Sequence, residues 1–285
     1  MDNIFIQSLI FKYSDIKTTV NLLEVFDKYP LELIKLNLSL DEQKDFVLEL
    51  ICQGQIQIVK KSFNLNFGHT FIGKIYMDQN NLDLGLFCSC KHGHLDLAKL
   101  MLNLGAKEYD WCLGGACESG NLDLINLMLS SGATNYEGGL SYACMTGHLE
   151  IAKLMIKLGA KSYDAGLYWS CFSGKLELVH LMFNLGATNY NFGLEGSCKG
   201  GHLNLVKQML NLGANNYNSG LQSSCEGGHL ELVHLMLSLG ATYYNEGLST
   251  ACMCGYKEIA ELMVSLGAND DNDENCLCGH RTLVK

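Results

Sequence analysis

The sequence predicts an all-α solenoid built from stacked helix-turn-helix repeats. The first observation is a 27-residue unit that recurs seven times between about Gly85 and Ala268. The second is that the apolar residues inside each unit follow the spacing of a helix rather than the alternation of a strand. The third is that the chain has 30 glycines but one proline, so glycine is the residue that ends its elements.

The 27-residue interval is carried by several residue types at once, and each set of equivalent positions forms a ladder. Cysteine, glycine and methionine ladders have seven members each, and a tyrosine ladder has six. Independent ladders in one register indicate tandem copies of one structural unit. The members are Cys90, Cys117, Cys144, Cys171, Cys198, Cys225 and Cys252; Gly93, Gly120, Gly147, Gly174, Gly201, Gly228 and Gly255; Met101, Met128, Met155, Met182, Met209, Met236 and Met263; and Tyr109, Tyr136, Tyr163, Tyr190, Tyr217 and Tyr244.

The second half of each unit is predicted to be an amphipathic helix. In the first unit, the segment His94 to Leu104 has polar residues at Asp96, Lys99 and Asn103, which fall on one narrow stripe of a helix. A helix that is exposed to solvent only along so narrow a stripe must pack on its other sides, and stacked neighbouring repeats supply that packing. Gly105 suits the left-handed backbone position that follows such a helix.

The first half of each unit is predicted to be a shorter helix, from Leu86 to about His92 in the first unit. A turn of about six residues, such as Ala106 to Trp111, should then lead into the next unit and hold the tyrosine ladder. A serine or alanine precedes every ladder cysteine, which lets neighbouring helices approach closely. The buried face of this helix should comprise Leu86, Ser89, Cys90 and Gly93.

The unit resembles the ankyrin repeat. The run from Gly147 to Ala160, Gly-His-Leu-Glu-Ile-Ala-Lys-Leu-Met-Ile-Lys-Leu-Gly-Ala, is similar to the second ankyrin helix and its ending. Ankyrin units usually have about 33 residues, so each unit here is shorter by about six. The difference falls where ankyrin repeats carry a β-hairpin finger, and Gly-Leu replaces their usual Thr-Pro-Leu-His start.

This resemblance covers roughly two thirds of the chain, and it is closest to the short ankyrin-type arrays of large DNA viruses of amoebae. It implies an ankyrin-like solenoid with reduced β-hairpin fingers. It also implies a protein-binding role without catalytic residues, and a viral adaptor for host proteins would suit it.

The repeat pattern divides the chain into three predicted parts. Residues 1–80 should form a degenerate helical N-terminal cap, residues 81–269 the seven repeats, and residues 270–285 an acidic, frayed C-terminal half-unit. Within the cap, Leu50 to Lys60 is a worn copy of the unit, and His69 to Tyr76 is compatible with a hairpin. Degenerate ends are expected because the terminal units of a solenoid must face water.

Composition limits the classes of partner. The formal net charge is −10, which argues against binding to a nucleic-acid backbone. The N-terminus lacks a signal peptide, no apolar run reaches membrane-spanning length, and the 13 cysteines are an odd number. We therefore expect a cytoplasmic protein, in the host-cell cytoplasm if it is viral, that forms no disulfide framework and does not bind membranes. We also expect it to be a monomer.

The cysteines and histidines are predicted to be structural. Successive stacked helices are spaced by about 10 Å, whereas zinc needs sulfur ligands at about 2.3 Å, so ladder cysteines cannot share one ion. The cluster Cys276 to His280 lacks a second ligand pair. We expect no metal, no cofactor and no catalytic residue. The histidines at the start of the second helix, where other residues also occur, are His94, His148, His202 and His229.

The residues that differ between units are the candidates for partner contact, because the scaffold does not fix them. Among them, aromatic side chains in neighbouring units should lie side by side and bind a protein partner. The alternative is that these rings merely cover the stack, and the tyrosine ladder likewise either packs ring on ring or contacts a ligand. The predicted partner-binding residues are Trp111, Tyr142, Tyr168, Trp169 and Phe192.

Two other functions stay open at the level of sequence. Residues 1–80 could carry an unrecognised enzymatic activity, although they contain no Gly-rich phosphate loop and no nucleophile–base signature. The array could also bind nucleic acid, as other helical repeat arrays do, but it lacks the basic stripe that this needs.

Overall fold

A computed structural model of the chain describes residues 79–269, and these residues form a regular tandem of fourteen helices without a strand. The predicted all-helical repeat architecture is confirmed for this range. The predictions for the N-terminal cap up to residue 78, including its hairpin at 69–76, and for the half-unit at 270–285 lie outside the described residues.

The chain divides into two compact units at residues 135 and 136, and unit 1 contributes two helix pairs to the described range. In each pair the first helix packs on the second, and the first helices of the two pairs pack on each other. The helices of unit 1 are α1 (Gln79–Lys91), α2 (Leu95–Asn103), α3 (Tyr109–Ser119) and α4 (Leu122–Ser131).

Unit 2 contains five helix pairs, and neighbouring first helices within the unit pack on each other. The odd-numbered helices are the first helices and the even-numbered ones the second helices. They are α5 (Tyr136–Thr146), α6 (Leu149–Leu158), α7 (Tyr163–Ser173), α8 (Leu176–Asn184), α9 (Tyr190–Gly200), α10 (Leu203–Asn211), α11 (Tyr217–Gly227), α12 (Leu230–Ser238), α13 (Tyr244–Cys254) and α14 (Lys257–Ser265).

The second helices have the predicted narrow stripe of polar side chains. In α8, Glu177 and His180 are exposed, whereas Leu178, Val179 and Met182 are buried. The ladder methionines are at most 1% exposed, so the unbranched side chain fills the space between a second helix and its first helix. The core of each unit therefore lies between the two rows of helices.

Glycine ends the helices through its left-handed backbone. Gly159, with φ of 123°, follows α6, and the N–H of Ala160 then donates to the carbonyl of Met155 at 3.0 Å. This pattern needs a glycine followed by a residue that turns back onto the helix, which explains the repeated Gly-Ala pair. Gly93 plays the same part after α1, with φ of 79°, so the prediction that it lies on a buried helix face was wrong.

The first helices are longer than predicted. Helix α3 has 11 residues, whereas α2 has 9, so the expectation of a shorter first helix was wrong. The ladder tyrosine is the first residue of each first helix from α3 to α13. Trp111 and Phe192 are the third residues of their helices rather than turn residues. The connection from one unit to the next is shorter than the predicted six residues, because hydrogen bonds from side chains hold it in place.

A repeated side-chain-to-backbone bond, the backbone clasp, holds these connections. In α7, Oδ1 of Asp164 accepts from the N–H of Thr188 at 2.8 Å and of Asn189 at 2.9 Å, just before the next first helix. The acceptors and the first residue that donates to each are Asp83 with Lys107, Asp110 with Thr134, Glu137 with Lys161, Asp164 with Thr188, Asn191 with Asn215, Asn218 with Thr242 and Asn245 with Asn269.

The clasp requires an acceptor oxygen but not a charge. The first four acceptors are carboxylates and the last three are amides, and Asn191 bonds Asn215 and Asn216 at 2.8 and 3.0 Å. Each clasp satisfies backbone N–H groups at a helix start that lack a partner in the helix itself. It also ties each first helix to the connection that follows the neighbouring second helix.

Glycine inside the first helices allows two kinds of close approach. A Cβ at Gly166 would lie 2.4 Å from Sδ of Met182, so this glycine makes room for the methionine of its own pair. A Cβ at Gly196 would lie 2.2 Å from the carbonyl oxygen of Tyr168, so α9 touches the backbone of α7. Both distances are well inside van der Waals contact.

The contact of Gly166 with Met182 predicts a strong coupling between two substitutions. Gly166→Ala should destabilise by about 1–3 kcal/mol through overpacking, and Met182→Ala by about 2–5 kcal/mol through a cavity. The double variant should lose clearly less free energy of unfolding, measured with urea, than the sum of the two single variants. The reason is that the new methyl group occupies space left by the sulfur. Gly196→Ala, which meets backbone instead, should show no such rescue by Met182→Ala. Additive costs for Gly166 and Met182 would contradict the packing.

The clasp of Asp110 predicts a loss of stability in acid. Backbone N–H bonds from Thr134 and Asn135 lower the pKa of Asp110 below its ordinary value. A carboxyl group with a lowered folded-state pKa stabilises above its unfolded pKa, near 4, and loses this contribution as the pH falls through the folded value.

Asp110→Asn should therefore reduce the difference between the urea midpoints at about pH 7 and about pH 3, since the amide still accepts but no longer titrates. Asn218→Asp, at an equivalent clasp, should enlarge that difference. An unchanged difference in both variants would show that the clasp does not contribute to pH-dependent stability.

Candidate interaction surface

The first helices place their variable side chains on one face. In α7 the variable positions Tyr168, Trp169 and Phe172 recur at helical spacing and are half-buried. The opposite face of the same helix, with Leu167 and Cys171, is fully buried in the core. The repeat thus fixes one face of each first helix and leaves the other free to vary.

Three rings on α7 form the ring cluster, which comprises Tyr168, Trp169 and Phe172. The Tyr168 and Trp169 centroids lie 4.9 Å apart with the ring planes at 89°, and those of Trp169 and Phe172 lie 5.8 Å apart at 88°. Such edge-to-face pairs are the favoured geometry for aromatic side chains. The sequence predicted Tyr168 and Trp169 but missed Phe172, which an 11-residue helix would have placed one turn further on.

The neighbouring helix α9 has no aromatic side chain at the positions equivalent to the ring cluster, which are Glu195, Gly196 and Lys199. The position equivalent to Trp169 in α9 is Gly196, and the next turn has Gly200, whose Cβ would lie 2.2 Å from the carbonyl oxygen of Phe172. The two backbones touch at both glycines. Consequently, α7 and α9 pack backbone against backbone here, and α9 has no side chain at the position equivalent to Trp169.

Charged groups surround the phenol of Tyr168. Burial raises the pKa of Tyr168, and Glu226 and Glu195 act in the same direction, while Lys199 opposes them. Nζ of Lys199 lies 2.6 Å from Oε1 of Glu226 on α11, so this ammonium is already paired. Burial lowers the pKa of Lys199, but the hydrogen bond to Glu226 and the negative charges of neighbouring groups together raise it above its ordinary value. Glu195 forms no ion pair with any described residue.

Unit 1 has a smaller aromatic feature, the stacked pair of Phe87 on α1 and Trp111 on α3. Their centroids lie 4.0 Å apart and their planes differ by 7°. A Cβ at Gly115 would lie 3.3 Å from the Phe87 ring, so this glycine gives the ring its place against α3. Trp111 is 42% exposed, so one face of the stack is open to solvent.

The other two predicted partner-binding residues lie in unit 2 outside the ring cluster. Tyr142 is half-buried on α5, and Phe192 is 42% exposed on α9. Among the described residues, the aromatic ring contacts of unit 2 join Tyr168, Trp169 and Phe172 and, separately, Phe183 with Tyr190. Tyr142 and Phe192 are in none of them, so the partner-binding role of all five residues stays a prediction.

The tyrosine ladder does not stack ring on ring within the described residues. These tyrosines are half-buried at the first position of their helices. Tyr190 instead meets Phe183 with centroids 6.1 Å apart. The expected packing of each ring on the next tyrosine was therefore wrong, because successive helices separate the rings by a full repeat.

The ladder histidines bridge neighbouring pairs. Nε2 of His202 lies 3.0 Å from the carbonyl oxygen of Phe172, and Nε2 of His229 lies 3.2 Å from that of Lys199. Neither side chain caps its own helix. These two imidazoles satisfy carbonyls near the end of the first helix of the preceding pair, which agrees with the structural role predicted for them.

The ladder cysteines are buried thiols, at most 3% exposed. Burial raises the pKa of Cys171 and Cys198 to about 12, so these thiols stay protonated at neutral pH. Cys112 occupies the position that is glycine in the other repeats, and its contact with Cys90, together with burial, raises its pKa. These groups behave as small apolar side chains rather than as nucleophiles.

Two further findings concern ligands and membranes. Within residues 79–269, no three histidine, cysteine, aspartate or glutamate side chains come together in a way that could hold a metal ion. None of the helices in the same range combines the length and the apolar character needed to cross a membrane.

Comparison with protein-family models gives no match, and neither does comparison with curated proteins. The resemblance to ankyrin repeats therefore rests on the residues of the repeat itself.

The burial of the ladder predicts a graded reactivity of the thiols. Under native conditions, N-ethylmaleimide should modify the exposed Cys254 faster than Cys171 or Cys198 by about tenfold or more, because only the thiolate reacts. Peptide mapping by mass spectrometry after brief exposure measures the rates. In concentrated urea the three rates should converge. Equal rates in the folded protein would mean that the ladder is accessible.

Proposed function

We propose that the chain is a protein-interaction scaffold that binds a protein partner through the variable face of its first helices. The observation that carries the proposal is the division of each first helix into a buried face fixed by the repeat and a variable face with aromatic side chains. In α7 the variable face holds three rings in mutual contact, which is the kind of side chain that dominates binding energy at interfaces.

The ring cluster supports binding better than it supports a purely structural role. The core of α7 is complete without it, since Leu167 and Cys171 are already fully buried on the opposite face. Helix α9 has no aromatic side chain at the three equivalent positions, and Phe192 near its start is exposed. Half-buried aromatic side chains beside exposed ones form an anchor that is rigid before a partner arrives.

The mechanism of such a scaffold is shape complementarity with a few aromatic anchors and no covalent chemistry. The resemblance of the repeat to ankyrin-type arrays supports this proposal, and it suggests an adaptor that a virus directs at host proteins in the cytoplasm. The acidic net charge favours a protein over a nucleic acid as the partner.

A display selection tests the proposal. Random peptides selected on the immobilised full chain should bind the wild type and lose about tenfold or more in affinity on Trp169→Ala or Phe192→Ser, since each change removes an aromatic anchor. Leu176→Ala is the matched control, because it truncates an exposed apolar side chain of a second helix. Circular dichroism and the urea midpoint establish that each variant is folded.

Peptides that ignore Trp169 and Phe192 but require Leu176 would place binding on the second helices and contradict the proposal. A selection that enriches no peptide would also count against it. Phe192→Ser keeps the test decisive if Trp169→Ala fails to fold, because Phe192 is largely exposed.

A further inference from the structure

We propose that the variable face of unit 2 recognises a segment of a partner protein in which arginine alternates with apolar side chains. Glu195 would receive the guanidinium, which would also stack on a ring of the cluster, and the other rings would receive the apolar neighbours. This inference rests on the proposed scaffold function and adds the chemistry of the partner.

The first argument is the distribution of charge within unit 2. Its five first helices carry five carboxylates, at Glu137, Asp164, Glu195, Glu226 and Glu246, and one ammonium, at Lys199, which gives −5 + 1 = −4. Its five second helices carry five carboxylates and four ammonium groups, which gives −5 + 4 = −1. The acidic excess of the described helices therefore lies on the row that also carries the variable aromatic face.

The second argument is which of these charges remain available. Glu137 and Asp164 accept backbone N–H bonds in their clasps. Glu226 is paired with Lys199 at 2.6 Å. Glu195 and Glu246 make no ion pair with a described residue. An incoming cation thus finds two available carboxylates on this face, whereas an incoming anion finds its only ammonium, Lys199, already occupied.

The third argument is the position of Glu195 relative to the rings. Glu195 is the equivalent of Tyr168 one repeat later, and its charge acts on the Tyr168 phenol. The carboxylate therefore lies on the helix that packs against α7, within electrostatic range of the ring cluster, and the two helix backbones touch at Gly196. A guanidinium group suits such a place better than an ammonium group, because it stacks on a ring while its edge donates two bonds to a carboxylate.

The experiment uses defined probes with the full chain. Fluorescence anisotropy at about 150 mM salt compares three labelled peptides of equal length, in which leucine alternates with arginine, lysine or glutamate. We expect the arginine peptide to bind most tightly, the lysine peptide more weakly, and the glutamate peptide not at all. A labelled single-stranded RNA serves as a fourth probe and should not bind.

Matched double variants separate a site from general attraction to an acidic protein. Glu195→Gln with Glu246→Gln removes two charges from the variable face, and Glu177→Gln with Glu231→Gln removes two from the exposed stripes of second helices in the same unit. The first double variant should weaken arginine-peptide binding by about two- to fivefold per lost ion pair, and the second should leave it unchanged. Trp169→Leu, which keeps apolar bulk, should weaken it by about two- to fivefold through the lost cation–π contact.

Equal weakening by the two double variants would show non-specific attraction and overturn the inference. Binding of the glutamate peptide or of RNA with similar affinity would overturn it too. If display selection yields peptides that need Trp169 but contain no basic residue, the scaffold function stands and this inference fails. If selection yields no peptide at all, the scaffold function itself fails.

Discussion

The backbone clasp is the interaction on which the described repeats depend. Each clasp joins a side chain near the start of one first helix to the connection that leads to the next, so the spacing between pairs is set by hydrogen bonds as well as by apolar packing. It provides an acceptor for backbone N–H groups that would otherwise lack a hydrogen-bond partner at the start of a helix. It also keeps the connections short, because a turn held at both of its N–H groups needs no further structure of its own.

Close approach of neighbouring helices determines how the core is filled and how the first helices meet. Where Gly166 faces Met182, the absence of a side chain lets the core fill. Where Gly196 faces the backbone of Tyr168, the same absence lets α7 and α9 meet backbone against backbone. The same residue type therefore serves the core at one position and the contact between neighbouring first helices at the other.

The sequence predicted the features that depend on periodicity, and it failed where a residue has two possible environments. The ladders predicted the helix pairs, the buried cysteines and methionines, and the polar stripes. Apolar residues that recur at helical spacing in every unit are compatible with one secondary structure and one buried face. It misplaced Tyr109 and Trp111 in a turn, because their residue types fit a turn and a helix start equally well. The clasp at Asp110 and the contact of Phe172 with Trp169 were missed, since both depend on how far a first helix extends.

The mixture of carboxylates and amides in the clasp has an evolutionary consequence. Each clasp connects a residue to one 24 positions later, and the first six also connect to one 25 positions later, so in-register duplication or deletion of one repeat preserves the donor–acceptor pairs. Acceptors as different as Asp164 and Asn191 keep the same bonds, so copies can diverge at this position without losing the array. Such a chain can change its length and the order of its variable faces by recombination, while the folding rules of each copy stay the same.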